Sequence, residues 1–277
     1  MTRVAVVGHV EWIEFARVPR FPKPGEIVHA TEWWEEAGGG GAVAAVQVAK
    51  LAGGVEFYTA LAGDENGRHA KARLEALGVT VYAAPREGAQ RRGFVHLDDD
   101  HERTITILGD RIVPHGDDDL PWERLKAVDA VYFTGGDVAA LEHARRARKL
   151  VATPRAFATL RASDVNLDAL VRSAKDPGEQ HAEEELDPAP DIVVSTAGKE
   201  GGAWVGEDRS SGRWEAARLP GPPQDSYGAG DSFAAGLTYG LGAGLPIGQA
   251  LEIASRCGAY KLAGRAAFDG QLTAADL

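Results

Sequence analysis

Short apolar runs alternate with helical patterns along most of the chain. The apolar runs lie at residues 4–7, 55–61, 79–84, 129–134, 150–153 and 191–195. Runs this short and continuous are typical of strands in a parallel sheet that is covered on both faces. The helical patterns lie at residues 42–52, 68–77, 138–150, 233–241 and 247–262. Their alternation predicts an α/β fold with a mostly parallel central sheet.

Two segments have a different periodicity, in which polar and apolar residues alternate. Residues 9–15 alternate in this way, and residues 27–34 do so more loosely. Residues 92–97 and 103–108 are predicted to form a hairpin across an acidic turn at 98–102. Alternation is typical of strands with one solvated face, so residues 9–15 and 27–34 are predicted to form strands of that kind. We expect the acidic turn to be a solvated tip, because a hairpin tip gives carboxylates no converging geometry for a metal ion.

The most distinctive stretch is Asp-Ser-Tyr-Gly-Ala-Gly-Asp-Ser-Phe at 225–233. A glycine-rich turn that leads into a helix brings unpaired backbone N–H groups to the positive end of the helix dipole, which favours a bound anion, phosphate above all. Asp231 is unusual there, because a carboxylate repels phosphate. It either takes a proton from an attacking hydroxyl group or only complements the helix dipole, and the motif by itself leaves both interpretations open.

A second glycine cluster, at residues 38–41, opens the helical pattern at 42–52. Glycines let the backbone approach a ligand closely, and the N-terminus of the following helix points at that ligand. The alternative interpretation is a flexible hinge or a tight loop. The cluster is therefore a second candidate binding segment.

Composition and charge exclude several classes of function. With 30 Lys and Arg against 41 Asp and Glu, the 277 residues carry a net charge of −11, which argues against nucleic acid as the main partner. Cys257 is the only cysteine, so no intramolecular disulfide can form, as is typical of a reducing compartment. The N-terminus lacks the pattern of a signal peptide, and no uncharged apolar run has the length of a membrane span. We therefore expect a cytoplasmic protein without a membrane partner.

Other nucleotide-binding motifs fit the chain less well. The sequence contains no Gly-x-x-x-x-Gly-Lys-Ser/Thr, which argues against a P-loop kinase. The segment Gly228-Ala229-Gly230 begins like the Gly-x-Gly-x-x-Gly of nicotinamide-dependent oxidoreductases. Its sixth position is Phe233, however, and the motif lies late in the chain. An oxidoreductase is therefore a weaker alternative.

The stretch at 225–233 resembles the Asp-Thr-x-Gly-Ala-Gly-Asp-x-Phe signature of the ribokinase-like (PfkB) carbohydrate kinases, and further segments along nearly the whole chain follow the order of that family. The resemblance implies a single domain, 1–277, folded as a three-layer sandwich with a mostly parallel central sheet. It also implies a small β-sheet lid, inserted at 9–36 and 91–109.

The activity implied by this resemblance is that of an ATP-dependent kinase. With Mg²⁺ bound, such an enzyme transfers the γ-phosphoryl group of ATP to a hydroxyl group of a small sugar, a sugar-like molecule or a nucleoside. The backbone of Gly228, Ala229 and Gly230 would form an anion hole for the transferring group, and Asp231 would be the catalytic base.

The resemblance also implies roles for residues elsewhere in the chain. It implies substrate contacts from Gly39 and Gly40, contacts to the nucleotide phosphates from Thr196, Gly198 and Gly201, and metal sites at Glu179 and Asp225. The family's acidic sugar ligand does not align with this chain, and Glu11 and Glu14, which flank its slot, are the candidates to replace it. By family analogy, a monovalent cation would bind near Asp225. Two chains would pair through their lids, because an exposed sheet edge invites pairing.

Three positions depart from the family's pattern. Ile13 stands where the family has an acidic sugar ligand, and Val43 replaces an asparagine that contacts the sugar. Thr153, followed by Pro154 and Arg155, stands where an Asp-x-Asn-x-Arg segment is common. Ile13 and Val43 predict an acceptor pocket more apolar than a ribose site. The departures also keep a second alternative open, a member of the fold that binds a sugar or nucleotide without turnover.

Overall fold

The computed structural model describes residues 2–98, 103–177, 179–180 and 185–277. Strands and helices in these residues are numbered in chain order. The strands are β1 (Val4–Val7), β2 (Glu11–Arg17), β3 (Glu32–Gly38), β4 (Val55–Ala62), β5 (Val79–Arg86), β6 (Arg92–Leu97), β7 (Arg103–Leu108), β8 (Ala130–Phe133), β9 (Lys149–Ala152), β10 (Ala169–Ser173), β11 (Ile192–Thr196), β12 (Gly202–Gly206) and β13 (Ser211–Trp214). The helices are α1 (Gly40–Ala52), α2 (Glu65–Ala76), α3 (Val138–Ala144), α4 (Phe157–Arg161), α5 (Ala229–Gly242) and α6 (Ile247–Leu262).

Nine strands form the larger of two sheets, in the order β13-β12-β11-β10-β9-β8-β1-β4-β5. The strands from β11 to β5 pair in parallel, and β12 and β13 continue the sheet as an antiparallel hairpin. The carboxyl ends of the parallel strands therefore share one edge of the sheet, which is the edge where open α/β sheets bind ligands.

Alternate side chains of this sheet point into two apolar cores. Val4 and Val6 of β1 lie in the core that α1, α2, α5 and α6 complete. Ala5 and Val7 lie in the core that α3 and α4 complete on the opposite face. The fold is therefore an α/β sandwich of three layers, as the family resemblance implies.

Four strands form a small separate sheet, the lid, in the order β3-β2-β6-β7. One of its faces buries Ile13, Phe15, Val95 and Leu97, which is the alternation that the sequence pattern predicts. These strands fall within the two segments predicted for the lid, except that β3 runs on to Gly38. Most of the predicted acidic tip, residues 99–102, lies outside the described residues.

The region around β9 and β10 differs from the sequence prediction. The helix predicted at 138–150 ends at Ala144, and the strand β10 has no counterpart among the predicted runs. Both differences involve Asp168, whose carboxylate accepts hydrogen bonds from Arg145 at 2.7 Å and from Lys149 at 2.6 Å. Because these partners neutralise Asp168, a polar residue that interrupts the apolar pattern can lie buried beside the strand.

The hairpin of β12 and β13 follows β11 and ends at Trp214. In the part of the chain that the structure describes, no helix combines the length and apolar character needed to span a bilayer.

Candidate active site

The candidate site lies at the carboxyl edge of the large sheet, where the two glycine clusters meet. The N-terminus of α5 faces the N-terminus of α1 at this edge. A side chain placed at Gly40 would lie 2.7 Å from Oδ1 of Asp231 and 3.2 Å from Oγ1 of Thr134, which follows β8. Two segments almost two hundred residues apart in sequence, each predicted to approach a ligand, thus lie against each other.

The turn into α5 leaves room for an anion. Gly228 precedes the helix with a φ of 76°, a left-handed conformation that favours glycine, and a side chain there would lie 2.8 Å from Cγ1 of Val43. The first amides of α5, at Gly230 and Asp231, have no acceptor within the helix. A side chain at Gly230 would meet nothing within 4 Å, so open space lies in front of these amides. The backbone of the turn can therefore receive a phosphate group.

Asp231 has the electrostatic environment of a base. Burial raises the pKa of its carboxyl group, while the positive charges of Arg155 and Arg103 act in the opposite direction. A carboxylate whose pKa is raised accepts a proton more readily than an ordinary surface aspartate. Its position beside Gly40 places that carboxylate at the junction of the two glycine clusters.

Tyr227 connects the turn before α5 to the second glycine cluster and to the lid. Its Oη accepts a hydrogen bond from the amide of Gly39 at 2.8 Å. Its ring meets Phe15 of β2 edge-on, with 5.2 Å between centroids. Arg103 of β7 donates to the carbonyl of Ser226 beside it. The lid, the turn and the glycine cluster are therefore coupled through one buried side chain.

Glu11 is the acidic residue that the structure places beside the second glycine cluster. It is only 6% exposed, and a side chain at Gly39 would lie 3.1 Å from its amide nitrogen. Arg91 Nε lies 3.0 Å from Oε1 of Glu11, and His9 Nε2 lies 3.8 Å from the same oxygen. Burial raises the pKa of Glu11, while Arg91 and Arg111 act against that rise.

Glu14 lies elsewhere, although the sequence pairs it with Glu11. The two residues are three apart on β2, so their side chains leave opposite faces of the strand. Glu14 Oε1 accepts from Arg92 at 3.2 Å, while the face with Ile13 and Phe15 packs towards Tyr227. The geometry therefore does not bring Glu14 to the site that contains Glu11.

The two apolar departures from the family pattern do not line an open pocket. Ile13 and Val43 are both 0% exposed. A side chain at Gly38 or at Gly93 would lie 2.7 Å from Ile13, and Val43 fills the space beneath Gly228. Both residues belong to the packing that supports the site, so the prediction of an apolar acceptor pocket lacks support from their positions.

Three arginines surround the polar side of the site, and the sequence motifs did not single them out as ligands. Arg155, which follows β9, donates through Nε to Glu179 at 2.7 Å. Arg111, which follows β7, donates to the carbonyl of Arg155 at 2.8 Å. Partial desolvation and the like charges of Arg91 and Arg155 lower the pKa of Arg111. Arg111 forms no ion pair within the described residues, so its charge is available to an anionic ligand.

The two predicted metal ligands have different surroundings. Glu179 is 8% exposed at the carboxyl end of β10, and its second oxygen accepts from the amide of Ser173 at 2.8 Å. A carboxylate has about four acceptor positions, so this group can still accept hydrogen bonds from metal-bound water. Asp225 is 1% exposed, and amides of Tyr227 and Ala266 donate to its two oxygens at 2.8 Å and 2.6 Å. Asp225 therefore does not present a free carboxylate to Mg²⁺.

The predicted nucleotide segment leads to a cavity. Thr196 ends β11 at the ligand-binding edge, and Gly198 and Gly201 follow it with positive φ. A side chain at Gly201 would collide with the backbone of Trp214, whose ring stacks on Phe233 of α5 at 5.7 Å. Beyond Trp214 lies a cavity of about 670 Å³, bounded also by Leu219, Glu252, Ser255 and Tyr260. The stacked rings of Trp214 and Phe233 thus join the wall of this cavity to α5.

A family model described as pfkB family carbohydrate kinase matches residues 1–176 and 158–269 of the chain. The chain belongs to the pfkB family of carbohydrate kinases. This member is accordingly a phosphotransferase with a hydroxyl group as acceptor, and the family match gives no support to an oxidoreductase. A sequence search of curated proteins finds no match.

Solved structures of similar fold include sugar and nucleoside kinases. Ribokinase from Thermotoga maritima superposes with a TM-score of 0.79 at 19% identity, over 100% of this chain and 98% of that chain. Arabidopsis thaliana ribokinase, complexed with ribose and ATP, gives 0.79 at 19% identity, over 100% and 97%. The nucleoside kinase of Methanocaldococcus jannaschii gives 0.75 at 16% identity, over 99% and 96%. At these identities the superpositions establish the fold.

Proposed function

We propose that this pfkB family member is an active, ATP-dependent kinase that phosphorylates a hydroxyl group of a small sugar-like or nucleoside acceptor. The observation that carries the proposal is the position of Asp231. Its carboxylate lies against Gly40, in the second glycine cluster, and at the first turn of α5. A base and an anion hole in contact are what phosphoryl transfer to an alcohol requires.

Asp231 acts as the general base. The acceptor hydroxyl lies between Asp231 and the glycine cluster and gives its proton to the carboxylate as its oxygen attacks the γ-phosphorus of ATP. The bond from that phosphorus to the β,γ-bridging oxygen breaks, and ADP leaves. Burial raises the pKa of Asp231. This suits the role, because a general base works best when its pKa lies near the pH at which the enzyme operates.

The backbone of the turn stabilises the transferring group. The amides at the start of α5 carry fixed partial positive charge, and they need no reorganisation when negative charge spreads over the phosphoryl oxygens. Gly230 matters because its missing side chain leaves the approach to these amides open. Arg155 adds a full positive charge near Asp231.

The nucleotide extends from this turn towards the cavity beside Trp214. Thr196, Gly198 and Gly201 then border the phosphates, and the adenosine end occupies the cavity of about 670 Å³. Magnesium, when bound, neutralises charge on the nucleotide phosphates. Glu179 fits that ion through bridging water, because Arg155 and the Ser173 amide already engage both of its oxygens.

An anionic group on the acceptor would explain the arginines. Arg111 forms no ion pair within the described residues, and its positive charge lowers the pKa values of His9 and Glu11, which lie beside the second glycine cluster. Glu11 already neutralises Arg91 at 3.0 Å. The remaining positive charge favours a phosphorylated or carboxylated sugar over a neutral one.

The test is a panel of acceptors, with release of ADP as the measurement. Neutral sugars, sugar phosphates, sugar acids and nucleosides are each offered with ATP, in the presence and absence of Mg²⁺. We expect Mg²⁺-dependent turnover with at least one acceptor, and the highest kcat/KM with an anionic one. Nucleotide binding without turnover on any member of the panel would favour the silent binding protein instead.

Pairing of two chains through their lids also belongs to the proposal. Ile105 and Ile107 of β7 lie on the face of the lid that buries Ile13 and Val95, yet they are 39% and 40% exposed. An exposed apolar strip on an edge strand favours contact with a second copy. Light scattering should give the mass of a dimer, and Ile107→Arg should give that of a monomer. A monomeric wild-type protein would contradict the pairing.

A further inference from the structure

Lys261, in the last turn of α6, is a lysine with no exposed surface. Its Nζ lies 3.8 Å from Oδ1 of Asp225 and donates to the carbonyl of Gly264 at 3.5 Å. An ammonium group is stable in a protein interior only when charge and hydrogen bonds compensate for the lost water. These two oxygens, with the more distant carboxylates of Asp269 and Glu36, supply that compensation.

Asp225 joins Lys261 to the catalytic turn. One carboxylate oxygen accepts from the amide of Tyr227, and the other accepts from the amide of Ala266 in the loop after α6. Ala266 has a φ of 57°, a conformation that L-residues rarely adopt, and its bond to Asp225 helps to hold it there. Because Tyr227 immediately precedes Gly228, the charge state around Asp225 determines how firmly the turn is held.

The family resemblance implies a monovalent cation near Asp225, and the residues present do not fit one. Such an ion would take its oxygen ligands from the carboxylate and from backbone carbonyl groups of the same two loops. The Lys261 ammonium already contacts Asp225 Oδ1 and the carbonyl of Gly264. An ammonium group has the same single charge as a potassium ion and is close to it in size, so the two would compete for one place.

We propose that Lys261 takes the place of the monovalent cation, so that the enzyme organises its anion hole without potassium. Lys261 is then a positioning residue that acts through Asp225 and the backbone of the turn and touches neither nucleotide nor acceptor. The inference rests on the proposed function only in so far as that turn is the anion hole.

The test measures thermal melting and the affinity for a non-hydrolysable ATP analogue. Each is measured in potassium chloride and in choline chloride at equal ionic strength, since choline is too large for the site. Wild-type protein should behave alike in both salts. Lys261→Met should melt about 10 °C lower in choline chloride and bind the analogue more weakly. Potassium should restore both properties, because removal of the ammonium opens a cation site beside Asp225.

Two further variants separate this role from a merely structural one. Lys50→Met is the matched control, since Lys50 donates to the carbonyl of Phe268 in the same loop but forms no ion pair with Asp225. It should lose stability without gaining a response to potassium. The double variant Asp225→Asn, Lys261→Met removes both buried charges, so it should fold, as replaced buried pairs often do, and show no response either.

Potassium dependence of the wild-type protein would overturn the proposal. A folded Lys261→Met variant that ignores potassium would also overturn it. If Lys261→Met does not fold in either salt, the double variant decides. A double variant that responds to potassium, or that does not fold, would contradict the proposal. Melting does not depend on catalysis, so absence of kinase activity would refute the proposed function and leave this test in force.

Discussion

The two ends of the candidate site are built from different parts of the polypeptide. At the proposed phosphoryl end, the turn at Gly228 and the first amides of α5 present backbone, beside the carboxylate of Asp231 in the first turn of the helix. At the acceptor end, Glu11, Arg91 and Arg111 reach the site from three separate segments as long side chains.

This difference indicates that the choice of acceptor can vary more readily than the transfer of the phosphoryl group. Backbone amides at a helix N-terminus perform the same task for any phosphoryl donor, so a short motif preserves that end. In the proposed function, side chains at the acceptor end decide which molecule is phosphorylated, and they can change while the backbone end stays the same. Around Gly228 the chain keeps the family signature except that Ser226 replaces its threonine, whereas the pattern is altered at Ile13, Val43 and Thr153.

The largest effect should follow from Asp231→Asn, which removes the base and keeps the shape of the turn. We expect kcat to fall by about 10²–10⁴-fold, the usual contribution of a general base, with nucleotide affinity nearly unchanged. Steady-state kinetics and calorimetric titration measure the two quantities. Asp208→Asn, at an exposed hairpin tip, is the control and should keep full activity. Near-normal turnover of the Asp231 variant would remove this residue from the base role.

The next largest effect should come from adding one methyl group to the glycines. Gly40→Ala would push against the Asp231 carboxylate at 2.7 Å, whereas Gly230→Ala meets only open space in the protein. We expect both variants to lower kcat/KM, and Gly40→Ala should lower it by about 10²-fold, the effect of displacing a base by 1 Å. Only Gly230→Ala should keep the stability of the wild type. Melting curves and kinetics separate the two causes.

Gly54→Ala provides a control, because the added carbon would also have no neighbour within 4 Å but lies far from Asp231 in the loop before β4. Unimpaired phosphorylation by Gly230→Ala would mean that the ligand does not approach the turn at that residue.

A smaller effect should follow from Arg111→Gln, which tests the acceptor end alone. Loss of a hydrogen bond to a charged group costs about 1.5–3 kcal/mol, so the KM of an anionic acceptor should rise about 10–100-fold while kcat with a neutral acceptor stays the same. Arg92→Gln, which loses only its contact with Glu14 on the other face of β2, is the control. An equal loss for neutral and anionic acceptors would place Arg111 at the phosphoryl end.

The smallest effects should appear in the pH dependence of stability. Because burial raises the pKa of Asp231, the folded protein binds this proton more tightly than the unfolded chain does. The free energy of unfolding therefore falls as pH rises from the ordinary aspartate pKa of about 3.9 to the raised pKa of Asp231 in the folded protein. Above that pKa the charged carboxylate remains destabilising.

Asp231→Asn should consequently melt at a higher temperature than wild type near neutral pH, and the difference should shrink in acid. For the same reason, the acid limb of kcat should lie above the ordinary pKa of aspartate, and the variant should lack that limb. A variant less stable than wild type at neutral pH would argue against a desolvated carboxylate at this position.

Features that depend on neighbouring residues could be predicted from the sequence alone. The turn at Gly228 and the helix after it follow from local backbone preferences and apolar spacing within 225–241. The same holds for α6, whose bounds, Ile247–Leu262, coincide with the predicted range. The family match confirms the fold class and the kinase family to which these local signals pointed.

Features that depend on distant partners were decided only by the tertiary structure. Asp168 is buried because Arg145 and Lys149 meet it, and Arg111 reaches the carbonyl of Arg155 from a loop without any motif. In the sequence, Lys261 is an ordinary charged residue near the end of a helix. Only the fold places it beside Asp225, which lies 36 positions earlier in the chain. A local pattern cannot reveal such pairs, because the energy of a buried charge depends on which groups the folded chain places beside it.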